Sequence, residues 1–185
     1  VFVQRANITQ TISYVSISIL LLAIPLMFIF TDGRASTFGG AFVVDGYTIY
    51  IKTFVLLSAA SVILISKNYL EIQAIEFFEF PILIVFATLG MMMMVSSNDF
   101  LGLYLSIELQ SLSLYVIAAF QRDSARSSEA GLKYFVLGAL SSGLMLYGIS
   151  LIYGFAGSTS FDTLANVFSN MENTLPSPGI VVGLV

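Results

Sequence analysis

The stretch from Phe100 to Phe120 (FLGLYLSIELQSLSLYVIAAF) carries a single charged residue, Glu108, close to its middle. About 20 residues rising 1.5 Å each cross a hydrocarbon core roughly 30 Å thick. Lipid offers the backbone no hydrogen-bond partners, so such a stretch crosses as a helix. Glu108 lies eight residues from one end and twelve from the other, and is therefore deep. Insertion scales put an ionised acid at the helix centre at a cost of roughly 2.5 to 3.5 kcal/mol, which makes the residue a candidate functional site. Two plainer readings stand beside it. Glu108 could be a protonated packing acid hydrogen-bonded to Ser106 or Gln110, or the helix boundaries could lie elsewhere.

Composition extends this to the whole chain. With 57% hydrophobic residues, only 10% charged and a mean hydropathy of +0.94, the sequence lies far from soluble proteins, where roughly a quarter of residues are charged. It is expected to be an all-α integral membrane protein forming a single membrane domain over residues 1–185. Without cysteine or histidine it lacks the ligands of thiolate-zinc and iron-sulfur sites, disulfides, and histidine acid-base chemistry. Any redox centre is expected in a partner. The 7 basic residues are scattered and form no stripe, so nucleic-acid binding is not expected. The chain starts at Val1 and closes in GIVVGLV, which reads as the edges of a larger protein.

Six apolar segments are expected: 10–30, 47–66, 80–97, 100–120, 130–153 and an incomplete span from 179. Residues 1–9 form a lead-in without signal- or transit-peptide character. Pro25 is tolerable as a kink. TDGRASTFGG reads as a turn-rich loop, and Lys52 as a snorkelling lysine. Residues 67–79 suggest a surface connection, with Glu76 and Glu79 complementing the dipole of the helix that Pro81 opens. The run Met91–Met94 points in four directions and suits lipid contact or packing. In the fifth span the pairs Gly138/Ser142 and Ala139/Gly143 predict a face packed on another helix. A short amphipathic helix is expected around Phe161–Phe168. Arg5, Lys67, Arg122 and Arg126 fall on one side of the membrane and Arg34 on the other, so the first set is expected inside.

Glu129 and Lys133 stand four residues apart on one helical face and favour mutual contact. In an antiparallel hairpin about the RDSAR turn, residue 108 is expected opposite residues 138–140, with Lys133 some 6 to 9 Å nearer the inner surface. Glu129, Lys133 and Glu108 would then form a ladder whose protonation states are coupled. Spacing alone leaves a static ion pair equally open.

The residues NDFLGLYLSIELQSLSLYVIAAFQRDSARSSEAGLKYFVLGALSSGLMLYGISLIYGFAGST resemble the subunit 2 family of respiratory complex I, the proton-translocating NADH:ubiquinone oxidoreductase, called subunit N in bacteria. IELQSLSLYV and EAGLKYFVLGALSSG, with their separation, are the specific part, and the likeness continues more weakly through FEFPILIVFATLGMMMMVSSNDF. The resemblance implies an antiporter-like bundle of about fourteen membrane helices built from two inverted five-helix repeats. It also implies that Glu108, Lys133 and its acidic neighbour Glu129 serve proton translocation. By the same resemblance this chain corresponds to the N-terminal portion, lacking the lysine of the next helix and those of the second half. FMN, iron-sulfur clusters and ubiquinone would reside elsewhere in the complex. Expected partners are other membrane-arm subunits, a separate chain supplying the remaining helices, and lipids. The expected location is the mitochondrial inner membrane, with a bacterial plasma membrane as the alternative. A component of a multisubunit cation/proton antiporter and a non-pumping structural fragment are the competing functions.

Overall fold

The structure, a computed structural model, describes residues 2–30, 33–72, 78–170 and 178–185. Helix α1 (Phe2–Phe30) leads into a hairpin of β1 (Ala35–Thr37) and β2 (Phe42–Val44), followed by α2 (Gly46–Ile72), α3 (Glu79–Ser96), α4 (Phe100–Ala118), α5 (Ala125–Ala156), α6 (Phe161–Asn170) and α7 (Pro178–Leu184). The first five helices contain segments long and apolar enough to cross a membrane. The chain is thus a predominantly helical bundle with five candidate membrane spans.

Helices outrun hydropathy at several ends. The lead-in is already helical from Phe2, α2 continues past Ser66 to Ile72, and α5 starts at Ala125. Apolar length records what the bilayer requires, whereas backbone hydrogen bonding continues through polar turns such as those holding Lys67 and Glu129. The connection after Ile72 includes Glu76, which lies outside the described residues. The expected turn-rich loop is a small antiparallel hairpin pairing Ala35 with Val44 and Thr37 with Phe42. Its tip reverses through Phe38, Gly39 and Gly40, all at positive φ. The short helix expected near Phe161 is α6, anchored by Leu164 at 2% exposure.

One core joins α1, α2 and α3. Leu20 of α1 meets Leu56, Ala59, Ala60 and Ile63 of α2, and Ile84, Val85 and Met92 of α3 pack against them. Met92 therefore fills the core, consistent with the packing reading of the methionine run. Apolar contact does not itself hold helices together in lipid, but small residues let them approach. Ala59 and Ala60 serve that end at the middle of α2.

The two ends of the bundle differ. At one, Asn98 ties three segments together: its side chain donates to the Gly40 carbonyl (3.1 Å) and to Asp162 Oδ2 (2.8 Å), and its N–H donates to the Ala41 carbonyl (2.8 Å). Arg34 belongs to this hairpin end. At the other, Lys67 donates to the Tyr14 hydroxyl (3.2 Å), and Arg122 pairs with Glu79 (3.7 Å). Glu79 thus has a cation partner in addition to its place at a helix N-terminus. Lys67, Arg122 and Arg126 share this basic end, opposite Arg34, as the charge count requires.

Candidate functional site

Helix α4 starts from Asp99, whose Oδ1 accepts the N–H groups of Leu101 (2.8 Å) and Gly102 (3.3 Å). Such a cap satisfies donors that the first turn otherwise leaves unpaired. Two helices then grip α4 from different sides. A Cβ placed on Gly90 of α3 would lie 2.7 Å from the Gln110 nitrogen and 2.8 Å from the Ser106 carbonyl oxygen. Only glycine permits that approach. Residues 106 and 110 therefore face α3, and residue 108, about 200° away from each around the helix, faces elsewhere.

It faces α5. Glu108 is half-buried, and its Oε1 accepts a hydrogen bond from the Ser142 hydroxyl. Ser106, one of the two partners considered from sequence, instead donates to the Gly102 carbonyl one turn back (2.6 Å). The α4–α5 register is set by small residues. Gly131 meets Ala119, and Gly138 gives space to the ring of Tyr115, which is 8% exposed and stacks edge-on with Tyr134 at 4.7 Å. The expected opposition of residue 108 to 138–140 moves about one turn outward, to 142. The reason is that α5 begins at Ala125, capped by Ser124, so its first turn and a half stands past the end of α4.

The small-residue pairs divide accordingly. Gly138 and Ser142 face α4, whereas Ala139 and Gly143 are exposed and nothing lies within 4 Å of a Cβ on Gly143.

Lys133 Nζ meets Glu129 Oε1 at 2.5 Å, as the i, i+4 spacing requires, with side-chain exposures of 70% and 64%. The structure brings Glu129 to Lys133 and Glu108 to Ser142, but it does not bring Lys133 to Glu108. Lys133 and Ser142 are nine residues apart, which is half a turn out of phase and about 14 Å along the axis. The ladder is thus two separate contacts on different faces of α5. Tyr115, seated at Gly138, occupies the level between them.

Three residues carry more than their sequence suggested. Ser142 read as a packing residue, yet it is the partner of Glu108; as a hydroxyl near the level of the acid it was the available signal. Tyr115 follows Glu108 by seven residues and so shares its face. Lys52, expected to snorkel, is 9% exposed and lies on the inward face of its helix. Its position in the stripe Ile49, Lys52, Leu56, Ala59, Ile63 marks the inward face of α2. Just outside that span, Asp45 Oδ1 accepts the Thr48 N–H (2.8 Å), and this bond holds the Asp45 carboxyl below its ordinary value of 3.8. Among the described residues no group of three or more His, Cys, Asp or Glu could hold a metal.

Comparison with known proteins bears on the fold as a whole. Residues 97–185 match the family model for the membrane region of NADH:quinone oxidoreductases and Mrp antiporters. The chain is similar to NADH-quinone oxidoreductase subunit N of Paramagnetospirillum magneticum (50% identity over 98% of this chain and 38% of the relative). It is also similar to that of Rhodobacter capsulatus (48% over 100% and 38%) and of Rhodospirillum rubrum (57% over 80% and 30%). The chain thus spans 30 to 38% of these relatives' length. Among solved structures it superposes on a chain of respiratory complex I from Thermus thermophilus with bound aureothin (TM-score 0.74, 27% identity, 95% of this chain and 36% of that one). It also shares its fold with a chain of a membrane-bound sulfane sulfur reductase, an archaeal respiratory complex (TM-score 0.70, 20% identity, 98% of this chain and 40% of that one).

Proposed function

We propose that the chain, whose residues 97–185 match the family model for the membrane region of NADH:quinone oxidoreductases and Mrp antiporters, is a membrane-arm component of a proton-translocating NADH:quinone oxidoreductase. It contributes part of a proton channel and does no redox chemistry itself. NADH oxidation and quinone reduction, with the FMN, iron-sulfur clusters and ubiquinone they require, belong to other subunits. The observation that carries this reading is a membrane-embedded acid, Glu108, held between two helices by the Ser142 hydroxyl.

That contact suits proton transfer. A carboxylate only accepts hydrogen bonds, whereas a carboxylic acid also donates one, and a serine hydroxyl can serve either way by rotating. Ser142 can therefore stay bonded to Glu108 while the acid gains and loses its proton. Glu129 and Lys133, at the basic end of α5, form the second element, exchanging protons with the inner surface. Tyr115 carries the hydroxyl between the two levels. The Ser142 hydroxyl orients the Glu108 carboxyl, while the exposed pair remains free to rearrange.

The partners are other membrane-arm subunits and lipid, together with the remaining helices of the fold. The exposed side of α5, where Leu137, Leu140, Leu144 and Tyr147 are each more than 60% exposed, is the surface those helices cover. The relatives are bacterial, which favours a bacterial plasma membrane over the mitochondrial inner membrane expected from sequence, and the name subunit N over subunit 2. The alternative of a cation/proton antiporter component shares the same acid and lysine. Co-purification with flavin and iron-sulfur subunits separates the two.

The direct test is Glu108→Gln, which keeps the size of the side chain and removes the ionisable proton. Proton pumping should fall while assembly and the complex's other subunits are retained. Unchanged proton stoichiometry in an intact assembly would identify a scaffold and overturn the proposal.

A further inference from the structure

Among the described residues, the core of α1, α2 and α3 contains one charged residue, Lys52, and no ion pair balances it. Lys52 is 9% exposed and sits in the inward stripe of α2 between Ile49 and Leu56. It makes no hydrogen bond or ion pair among the described residues. The helix register explains why. Lys67 touches Tyr14 near the basic end, and Leu20 meets Ala59 and Ala60 at mid-membrane, so residue 52 comes level with Met27 and Phe28 of α1. From Ala23 to Phe30 that helix holds no titratable group. Phe80 and Pro81 of α3 line one cavity with Ile63 and Lys67, and Ser97 just past α3 bridges Phe42 just before α2, so in this antiparallel pair residue 52 falls toward the Val95–Ser96 end of α3. From Leu89 to Ser96 that helix also has none, and neither has β2. The charged groups described at this end are Asp45, seven residues before Lys52, Arg34 of the hairpin, Asp99, three residues after Ser96 and bonded to Thr159 and the first amides of α4, and Asp162, bonded to Asn98.

A second observation falls at the same level. Ser96 is 5% exposed, and its hydroxyl is a buried polar atom without a hydrogen-bond partner. An unpaired polar group in an apolar interior is costly. A lysine side chain has the length and rotational freedom to reach a neighbouring helix directly or through one water.

We propose that Lys52 and Ser96 form a proton-exchanging site in the hairpin-side half of the membrane, separate from Glu108 and from the Glu129–Lys133 pair. The amine takes up one proton and releases one, with the Ser96 hydroxyl stabilising it in either state. Asp45, about 10 Å farther along α2, is the carboxylate that links the site to the surface at the hairpin end. Proton exchange answers the question that a static role leaves open, which is why a buried cation should lack a counter-charge. An intramembrane ionisable residue facing the bundle interior is the usual mark of an ion or proton route. This inference rests on the proton-translocating reading above.

The test uses inverted membrane vesicles carrying the assembled complex. Lys52→Met removes the amine, and Lys52→Arg keeps a positive charge that does not release its proton. Both should slow NADH-driven proton uptake about tenfold or more, with assembly intact on native gels. Uptake at the normal rate in the arginine variant, with loss only in the methionine variant, would identify a fixed cation and overturn the proposal. Normal uptake in both would overturn it equally. If neither variant assembles, Ser96→Ala provides the decision: uptake about threefold slower supports the site, and an unchanged rate rejects it. Glu108→Gln measured alongside separates the two claims. Loss there with full activity in the Lys52 variants removes this site alone, whereas normal pumping by Glu108→Gln removes the reading on which it depends.

Discussion

Glu108 and Glu129 are both membrane-helix glutamates with a partner on α5, but their partners are acquired differently. Glu129 bonds Lys133 within its own helix, so the contact is complete once α5 forms. Glu108 bonds Ser142 on a neighbouring helix, so the contact exists only if α4 and α5 pack in one register. The first is local, exposed and tolerant of what surrounds it. The second is half-buried and depends on glycine at 90 and 138 to bring three helices close enough. The lesson concerns sensitivity: substitutions far from Glu108 that shift helix packing should affect it, while Glu129 and Lys133 should respond only to changes in themselves.

The sharpest way to break this contrast is to remove each acid in turn. Glu108→Gln should lower proton pumping by about a hundredfold, the scale of a lost acid-base group, while quinone-reductase assembly is kept. Glu129→Gln should have the smaller effect, because its side chain is open to substitute partners. Equal losses measured in vesicles would erase the distinction. Next in size is Gly138→Val. The added methyls enter the space of the Tyr115 ring, and overpacking of this kind costs about 1 to 3 kcal/mol. Thermal unfolding of the complex should start at lower temperature, and pumping should fall with it, although residue 138 bears no ionisable group. A normal rate in this variant would mean that the Glu108 contact does not depend on register.

How far the sequence carried this comparison depends on which interaction is local. The Glu129–Lys133 contact was legible because spacing on a single helix decides it. The five spans were legible because hydropathy measures what a bilayer demands. Their ends were not, since Arg126 or Lys67 lies outside the apolar segment yet stays in the helix. The hairpin was hidden for a different reason: three-residue strands at Ala35–Thr37 and Phe42–Val44 leave no periodic signal. Ser142 lay beyond the register expected from the turn, because the early start of α5 shifts that register by about one turn. Lys52 could have been read inward from the stripe through Leu56 and Ile63, but a lysine near a helix end suits snorkelling equally until the neighbours are known.

Ser142→Ala tests the interhelical bond with little change in volume. Hydrogen bonds between membrane helices contribute about 0.6 kcal/mol on average and up to about 1.7. The variant should lose stability in that range and also pump more slowly, since Glu108 keeps its charge chemistry but loses its fixed orientation. A loss of stability with unaltered pumping would make Ser142 a packing contact and would leave Glu108 positioned by α4 alone.

The smallest expected effect is the most informative about the surroundings of α5. In a double-mutant cycle combining Glu129→Gln with Lys133→Met, an exposed i, i+4 pair should show a coupling of about 0.3 to 0.5 kcal/mol, further reduced by salt. That value follows from side chains 64% and 70% exposed in this chain. Other helices covering the same side of α5 would take the pair out of water and raise the coupling, because removing one partner of a buried pair leaves an unbalanced charge. The cycle therefore measures what lies against α5 in the assembled protein. A coupling well above 1 kcal/mol that persists in high salt would place Glu129 and Lys133 under protein, in the same class of environment as Glu108. A value within the surface range would keep them at the mouth of the path, where exchange with the aqueous phase is direct.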